Sequence, residues 1–180
     1  MNNNEDFSGI VEQPNYMTLN SYNTLQAEAL QLIDSERPEV TRLVQWAASN
    51  GDRSENADYH YGKKRLREID RRVAYIQRRL KCAVLVDPRE QIQQNRVFFG
   101  STVVYILPDG SDKTVTIVGV DEALPSEGRV SFISPIARAL LGKQVGDDAF
   151  LQLPTGSLLI EIDRITYPQK HNAKNITQKI

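Results

Sequence analysis

"LREIDRRVAYIQRRLKCA" spans Leu66–Ala83, and its apolar residues fall at Leu66, Ile69, Val73, Ile76, Leu80 and Ala83. Steps of three and four alternate without a break. This spacing predicts a helix with a narrow seam at positions a and d of a heptad, the pattern of a coiled coil. Upstream, Leu25, Ala29 and Leu32, then Val40, Leu43 and Ala47, repeat three-four spacing. Pro38 is expected to begin a new helical segment or to kink the existing one. Between the two seams, "SNGD" (Ser49–Asp52) is turn chemistry. Two helices joined by so short a turn are expected to run antiparallel, and about 30 residues of helix reach about 45 Å. The turn then lies at the far tip.

Outward from the seam, charge is sharply separated. The 180 residues carry a net charge of −1, with 40% hydrophobic and 25% charged residues, ordinary for a globular chain of one or two domains. That balance argues against a general nucleic-acid coat. Yet the segment from Lys63 to Lys81 holds nine bases against Glu68 and Asp70, enough for a local field that meets a polyanion. With Leu66 at a, Lys64, Arg71 and Arg78 share position f, and Arg65, Arg72 and Arg79 share position g. All face away from the a/d seam and form a stripe along one flank. Acids cluster instead at the turn: Asp52, Glu55 and Asp58.

Beyond Asp87-Pro88 the chain changes character. Residues 97–99, 102–107, 114–120, 130–133, 149–153 and 158–165 read as strands separated by Gly, Pro and Asp. "SPIARALLGK" (Ser134–Lys143) reads as a short helix with Ser134 at the N-cap and Pro135 at its first position. The expected fold class is α+β: a helical hairpin followed by an antiparallel sheet with one short helix. Expected boundaries are a flexible extension at 1–15, a hairpin domain at 16–87, a sheet domain at 88–168 and a flexible tail at 169–180.

Several classes are disfavoured. A single cysteine, Cys82, permits no intrachain disulfide, and no CxxC pair suggests structural zinc. His60 and His171 are too far apart in sequence to suggest a metal site. The N-terminus lacks a basic start and an apolar run, so no signal peptide is expected, and no stretch approaches a membrane span. A cytoplasmic location follows as the expectation.

The tip acids admit two readings. Asp52 at an N-cap with Glu55 three residues on is a variant capping box, and acids in a first turn suit the helix dipole. Alternatively, two nearby carboxylates suit Mg²⁺, which is commonly held by one or two carboxylates plus phosphates and water. Two carboxylates cannot build a full cage, but they could complete one inside another protein's active site. The basic stripe beside them could then hold an anionic strand.

"RPEVTRLVQWAASNGDRSENADYHYGKKRLREIDRRV" (Arg37–Val73) resembles the bacterial Gre transcript-cleavage factors, the GreB-like members in particular. "RVFFGSTV" (Arg96–Val103), "IVGVDEA" (Ile117–Ala123) and "SPIARALLGKQVGD" (Ser134–Asp147) support the resemblance, which covers about Tyr16 to Tyr167. It implies a coiled coil that enters the secondary channel of RNA polymerase, and an FKBP-like domain without isomerase activity that docks at the channel rim. It places the two key tip acids on Asp52 and Glu55, which help hold a Mg²⁺ shared with the polymerase while the polymerase cuts its own backtracked RNA. It places the RNA-facing basic patch on Lys63, Lys64, Arg65, Arg71 and Arg72. The docking surface falls at Ile133, Ser134 and Pro135, where Ile133 departs from the Asp or Asn common in the family. The chain is expected to be a monomeric cofactor of the polymerase, not itself an enzyme. The competing readings are a channel binder that blocks polymerase without stimulating cleavage, and a generic coiled-coil adaptor. Intact Asp52 and Glu55 favour cleavage.

Overall fold

The computed structural model describes residues 14–49 and 55–170. In chain order the elements are β1 (Asn15–Met17), α1 (Leu19–Gln31), α2 (Arg37–Ser49), α3 (Ala57–Lys81), β2 (Ala83–Leu85), β3 (Thr102–Ile106), β4 (Asp112–Val118), β5 (Arg129–Ser131), α4 (Pro135–Leu140), β6 (Asp148–Leu153) and β7 (Gly156–Thr166). The class is α+β, as expected. The described residues divide into two compact units: residues 14–15 with 25–49 and 55–84, and residues 16–24 with 85–170. Of the expected tails at 1–15 and 169–180, residues 1–13 and 171–180 lie outside the described residues. Asn15, expected in the loose extension, is instead buried in β1. Residues 16–24, expected in the hairpin, belong with the sheet. The reason is local: Thr18 Oγ1 donates to Glu122, and the Tyr16 ring packs edge-on against Phe132 at 5.6 Å. Among the described residues no helix is long and apolar enough to cross a membrane.

The helical unit is a hairpin. α3 runs 25 residues, about 37 Å, and buries Ile69 and Ile76 fully at its d positions, with Leu66, Val73 and Leu80 half-buried at a. Opposite them stand Leu25, Ala29, Leu32, Val44 and Ala47. Leu43, expected in the seam, is 43% exposed, and Val44 takes its place. The cause lies at Pro38. The helix neither breaks there nor restarts; it passes through a π turn at Leu32–Glu36, where the Arg37 N–H donates to the Leu32 carbonyl five residues back. A proline cannot supply the next regular helical bond, and the widened turn carries the helix past it one residue out of phase. Farther along, Gly62 is buried against Val44; a Cβ at Gly62 would overlap Val44 Cγ2. Glycine there lets the two backbones approach closely.

The second unit is a five-stranded sheet in the order β5-β4-β3-β7-β6. Three of its pairings are antiparallel. The fourth is not: β5 joins β4 in parallel, Ile117 opposite Val130. The sheet is therefore mixed rather than purely antiparallel, because the chain between β4 and β5 turns through two short helical turns at Val120–Glu122 and Pro125–Glu127 before re-entering in the same direction. α4 lays Ala137 and Leu140 onto the core with Val103, Ile117, Ile160 and Ile162. Val97–Phe99, expected as a strand, instead leads into β3 as irregular chain. Its bonds go elsewhere: the Val97 N–H to the Lys143 carbonyl (2.9 Å), and the Phe98 N–H to the Tyr167 hydroxyl (2.9 Å).

The Tyr167 hydroxyl in turn donates to the Arg96 carbonyl at 2.6 Å, so one buried side chain satisfies two backbone groups. Burial pushes its own ionisation up. Tyr167→Phe removes the hydroxyl and leaves the Phe98 N–H and the Arg96 carbonyl without it, while the ring keeps its shape. It should cost about 1–3 kcal/mol of stability, measured by denaturant unfolding of the full chain; a loss below a few tenths would show that water replaces the hydroxyl.

Candidate functional site

The tip comes first. Asp52 lies outside the described residues. Glu55 is exposed and makes no hydrogen bond among the described residues. The expected capping box of Asp52 and Glu55 falls partly outside the described residues, and α3 itself is capped by another residue. The N-cap is Asn56, in extended backbone, with its Oδ1 accepting from the Tyr59 N–H at 3.1 Å. Its Nδ2 donates back across the hairpin to the Ala47 carbonyl at 2.8 Å. One asparagine thus starts α3 and ties it to the end of α2. The Glu55 carboxylate, just outside the helix, has no capping duty. Sequence reasoning passed over Asn56, although Asn is a favoured N-cap; Asp52 at a plausible spacing drew the assignment instead.

The basic flank resolves into two classes. Three position-g side chains, seven residues apart, reach across the hairpin. Arg65 Nε donates to Glu36 at 2.6 Å and its Nη1 lies 3.3 Å from Glu68. Arg72 grips Glu28 with two bonds, at 2.6 and 2.8 Å, and its guanidinium sits 5.3 Å from the Tyr75 ring centre. Arg79 bonds the Asn15 side-chain carbonyl. As residue numbers rise on α3 they fall on the partner segment, which is the antiparallel register read directly from side chains. The expected RNA-facing residues Arg65 and Arg72 are therefore engaged within the chain. Lys63, Lys64 and Arg71 are exposed and form no ion pair among the described residues; Arg71 Nε donates only to the Arg67 carbonyl. Asp70 pairs with Arg37 at 2.9 Å.

In the sheet unit, Ser134 caps α4, its Oγ accepting from the Ala137 N–H at 3.3 Å, and Pro135 occupies the first helical position. Ile133 is 47% exposed and Pro135 is exposed, whereas Ala137 and Leu140 are fully buried. The segment therefore does two things: one side covers the sheet and the other offers Ile133 and Pro135 outward. A separate cleft of about 620 Å³ is lined by Thr18, Leu85, Pro88 and Pro168 among others. Its charged rim is spent on Asp87–Arg89 and Glu90–Lys170 pairs, and the Arg89 guanidinium holds the Asp87 carboxyl down at about 2. Among the described residues no three His, Cys, Asp or Glu side chains gather as a metal cluster.

Two family models match nearly the whole chain: "Transcription elongation factor, N-terminal" over residues 15–85 and "Transcription elongation factor, GreA/GreB, C-term" over residues 92–167. The chain belongs to the GreA/GreB transcription elongation factor family. Its curated relatives agree. Transcription elongation factor GreB of Neisseria meningitidis serogroup B is 47% identical over 156 residues, covering 87% of this chain and 96% of that protein. Transcription elongation factor GreA of Nautilia profundicola is 45% identical over 152 residues, covering 84% and 93%. Among solved structures, the Gre homologue Gfh1 of Thermus thermophilus matches at 23% identity with a TM-score of 0.40, over 86% of this chain and 99% of that one, too distant a superposition to add to the assignment.

Two outcomes test this geometry. Asn56→Ala should destabilise the helical hairpin by about 1 kcal/mol, whereas Asn56→Asp keeps the cap acceptor and loses only the bond to Ala47. Thermal unfolding followed by helical circular dichroism separates them; equal losses would mean that the cross-hairpin bond, not the cap, carries the effect. The second concerns pH. Hydrogen bonding to Arg72 holds the Glu28 carboxyl below its usual value near 4.5. A carboxyl depressed in the fold stabilises it above the ordinary value, and that contribution is lost as pH falls through the lowered one. Arg72→Gln should therefore lose less stability on acidification than wild type, by at most about 1 kcal/mol for a pair this exposed. Parallel acid-unfolding curves would show that the pair contributes nothing.

Proposed function

We propose that the chain enters the secondary channel of RNA polymerase and stimulates the polymerase's own cleavage of backtracked RNA, so that arrested complexes restart from the new 3′ end. It acts as a monomeric cofactor of the polymerase in the cytoplasm, not as a nuclease. The observation that carries this reading is the uncommitted Glu55 carboxylate at the far end of a helical hairpin whose N-cap is supplied by another residue. A carboxylate needed for capping would be held by backbone N–H groups; among the described residues this one is not.

The donor chemistry fits Mg²⁺. Glu55, with Asp52 three residues before it, supplies hard carboxylate oxygens, and Mg²⁺ is commonly bound by one or two carboxylates with phosphates and water. When bound, the ion supplies Lewis-acid stabilisation of charge on the reacting phosphate. The chain's own residues do the rest. Asn56 fixes where Glu55 leaves the helix. Lys63, Lys64 and Arg71 draw the RNA phosphates by long-range attraction that salt weakens. Ile133 and Pro135, fixed in place by the Ser134 cap, form the outward side of the α4 segment and hold the factor at the channel rim.

Asp52→Asn and Glu55→Gln preserve size and remove a formal charge. Each should abolish most stimulated cleavage of backtracked complexes, by at least about tenfold, while polymerase binding stays within about twofold; tenfold corresponds to about 1.4 kcal/mol of barrier. RNA length analysis at limiting Mg²⁺, with a parallel binding measurement, checks it. Normal cleavage by both variants would remove the carboxylates from the mechanism. Stalled but uncut RNA with the wild-type chain would identify a blocker instead.

A further inference from the structure

Near the tip of the hairpin two large rings are left in solvent. Trp46, the chain's single tryptophan, is 58% exposed, and Tyr61 is 68% exposed. Their placement follows from the seam. On α2, Val44 and Ala47 face α3, and Leu43 and Trp46 each precede one of them by a residue. On α3, Gly62 meets Val44, and Tyr61 precedes Gly62. Successive helical residues are about 100° apart, and in an antiparallel pair the residues just before the seam positions of both helices share one flank. The ion pairs confirm the rule independently: Glu28 precedes Ala29, Arg72 precedes Val73, and these two are bonded. Trp46 and Tyr61 therefore lie on the Arg65–Arg72 flank, at its end nearest the tip. Lys64 and Arg65 stand three and four residues after Tyr61, its neighbours on the helix surface.

We propose that Trp46 and Tyr61 form a stacking platform for bases of the extruded RNA. This rests on the RNA-cleavage reading above and adds a second kind of contact to it. Extruded RNA has whatever sequence the gene dictates, so its recognition cannot depend on base-edge hydrogen bonds. Every base has a π-face, and aromatic rings beside a cationic track bind single strands in that sequence-tolerant way. The adjoining cations on α3, Lys64 and Arg71, are exposed and unpaired among the described residues, which gives the strand's phosphates a track alongside the rings. That charge complementarity favours a nucleic-acid strand over a protein wall as the occupant.

The test measures binding of the full-length factor to polymerase complexes backtracked by a short or a long distance, the long extrusion made with natural or abasic nucleotides. Trp46→Ala and Tyr61→Ala should each weaken binding to the long natural extrusion about fivefold or more. Trp46→Phe and Tyr61→Phe should retain most of it. On abasic RNA, wild type and the alanine variants should bind alike. Equal losses on short, long and abasic complexes would mean that the rings touch polymerase, and would overturn the proposal, as would no loss at all. Lys63→Glu combined with Lys64→Glu and Arg71→Glu separates the two levels. If this variant loses the long-extrusion advantage while the ring variants keep it, stacking fails and the RNA reading stands. If neither set responds to extrusion length, RNA contact by this hairpin fails altogether.

Discussion

Two arginines, Arg65 and Arg72, reach across the hairpin to Glu36 and Glu28, and the rest of the helical unit is arranged by the register they mark. Both pairs are substantially exposed, and exposed pairs contribute little energy. Burial of Ile69, Ile76, Leu25 and Ala47 supplies the stabilisation. An apolar seam of repeating aliphatic residues is, however, nearly indifferent to sliding by a heptad. The cross-hairpin pairs are less indifferent, because a slip by one heptad could re-pair only one of the two arginines and would strand the other. Position g selects the register and the seam stabilises it. The placement of Glu55 and Asn56 at the turn, and of Trp46 and Tyr61 on one flank, follows from that choice.

The π turn is the accommodation this arrangement requires. Ahead of Pro38 the seam runs through Leu25, Ala29 and Leu32; beyond it, through Val44 and Ala47. A regular helix cannot supply both phases while also tolerating a proline in its interior. The widened turn resolves both demands at one place, and its last residue, Glu36, is the partner of Arg65. Helix continuity, seam phase and ion-pair register thus meet within five residues.

Much of this was legible in the sequence. The α3 seam, the reversal near residue 50 and the change to strands after Asp87 follow from periodicity and turn residues, and the motif at Arg37–Val73 carries the family. What was not legible depends on contacts distant in sequence. Leu43 and Val44 are both apolar, and only the π turn decides between them. Asp52 and Asn56 are both good N-caps, and the bond from Asn56 to Ala47 is a tertiary fact. Heptad labels place Arg65, Arg71 and Arg72 on the outer side alike, yet g reaches the partner helix and f does not. Val97–Phe99 has strand composition, but the Tyr167 hydroxyl and the Lys143 carbonyl claim its backbone.

Because Asn56 rather than a tip acid starts α3, the scaffold and its terminal chemistry are thermodynamically separable. A change at Glu55 alters what the hairpin presents without weakening the helix that presents it. Substitution of Glu55 is therefore expected to cost the fold little, since the cap of α3 does not draw on it. A single amide side chain thus frees the residue before it from any duty to the helix.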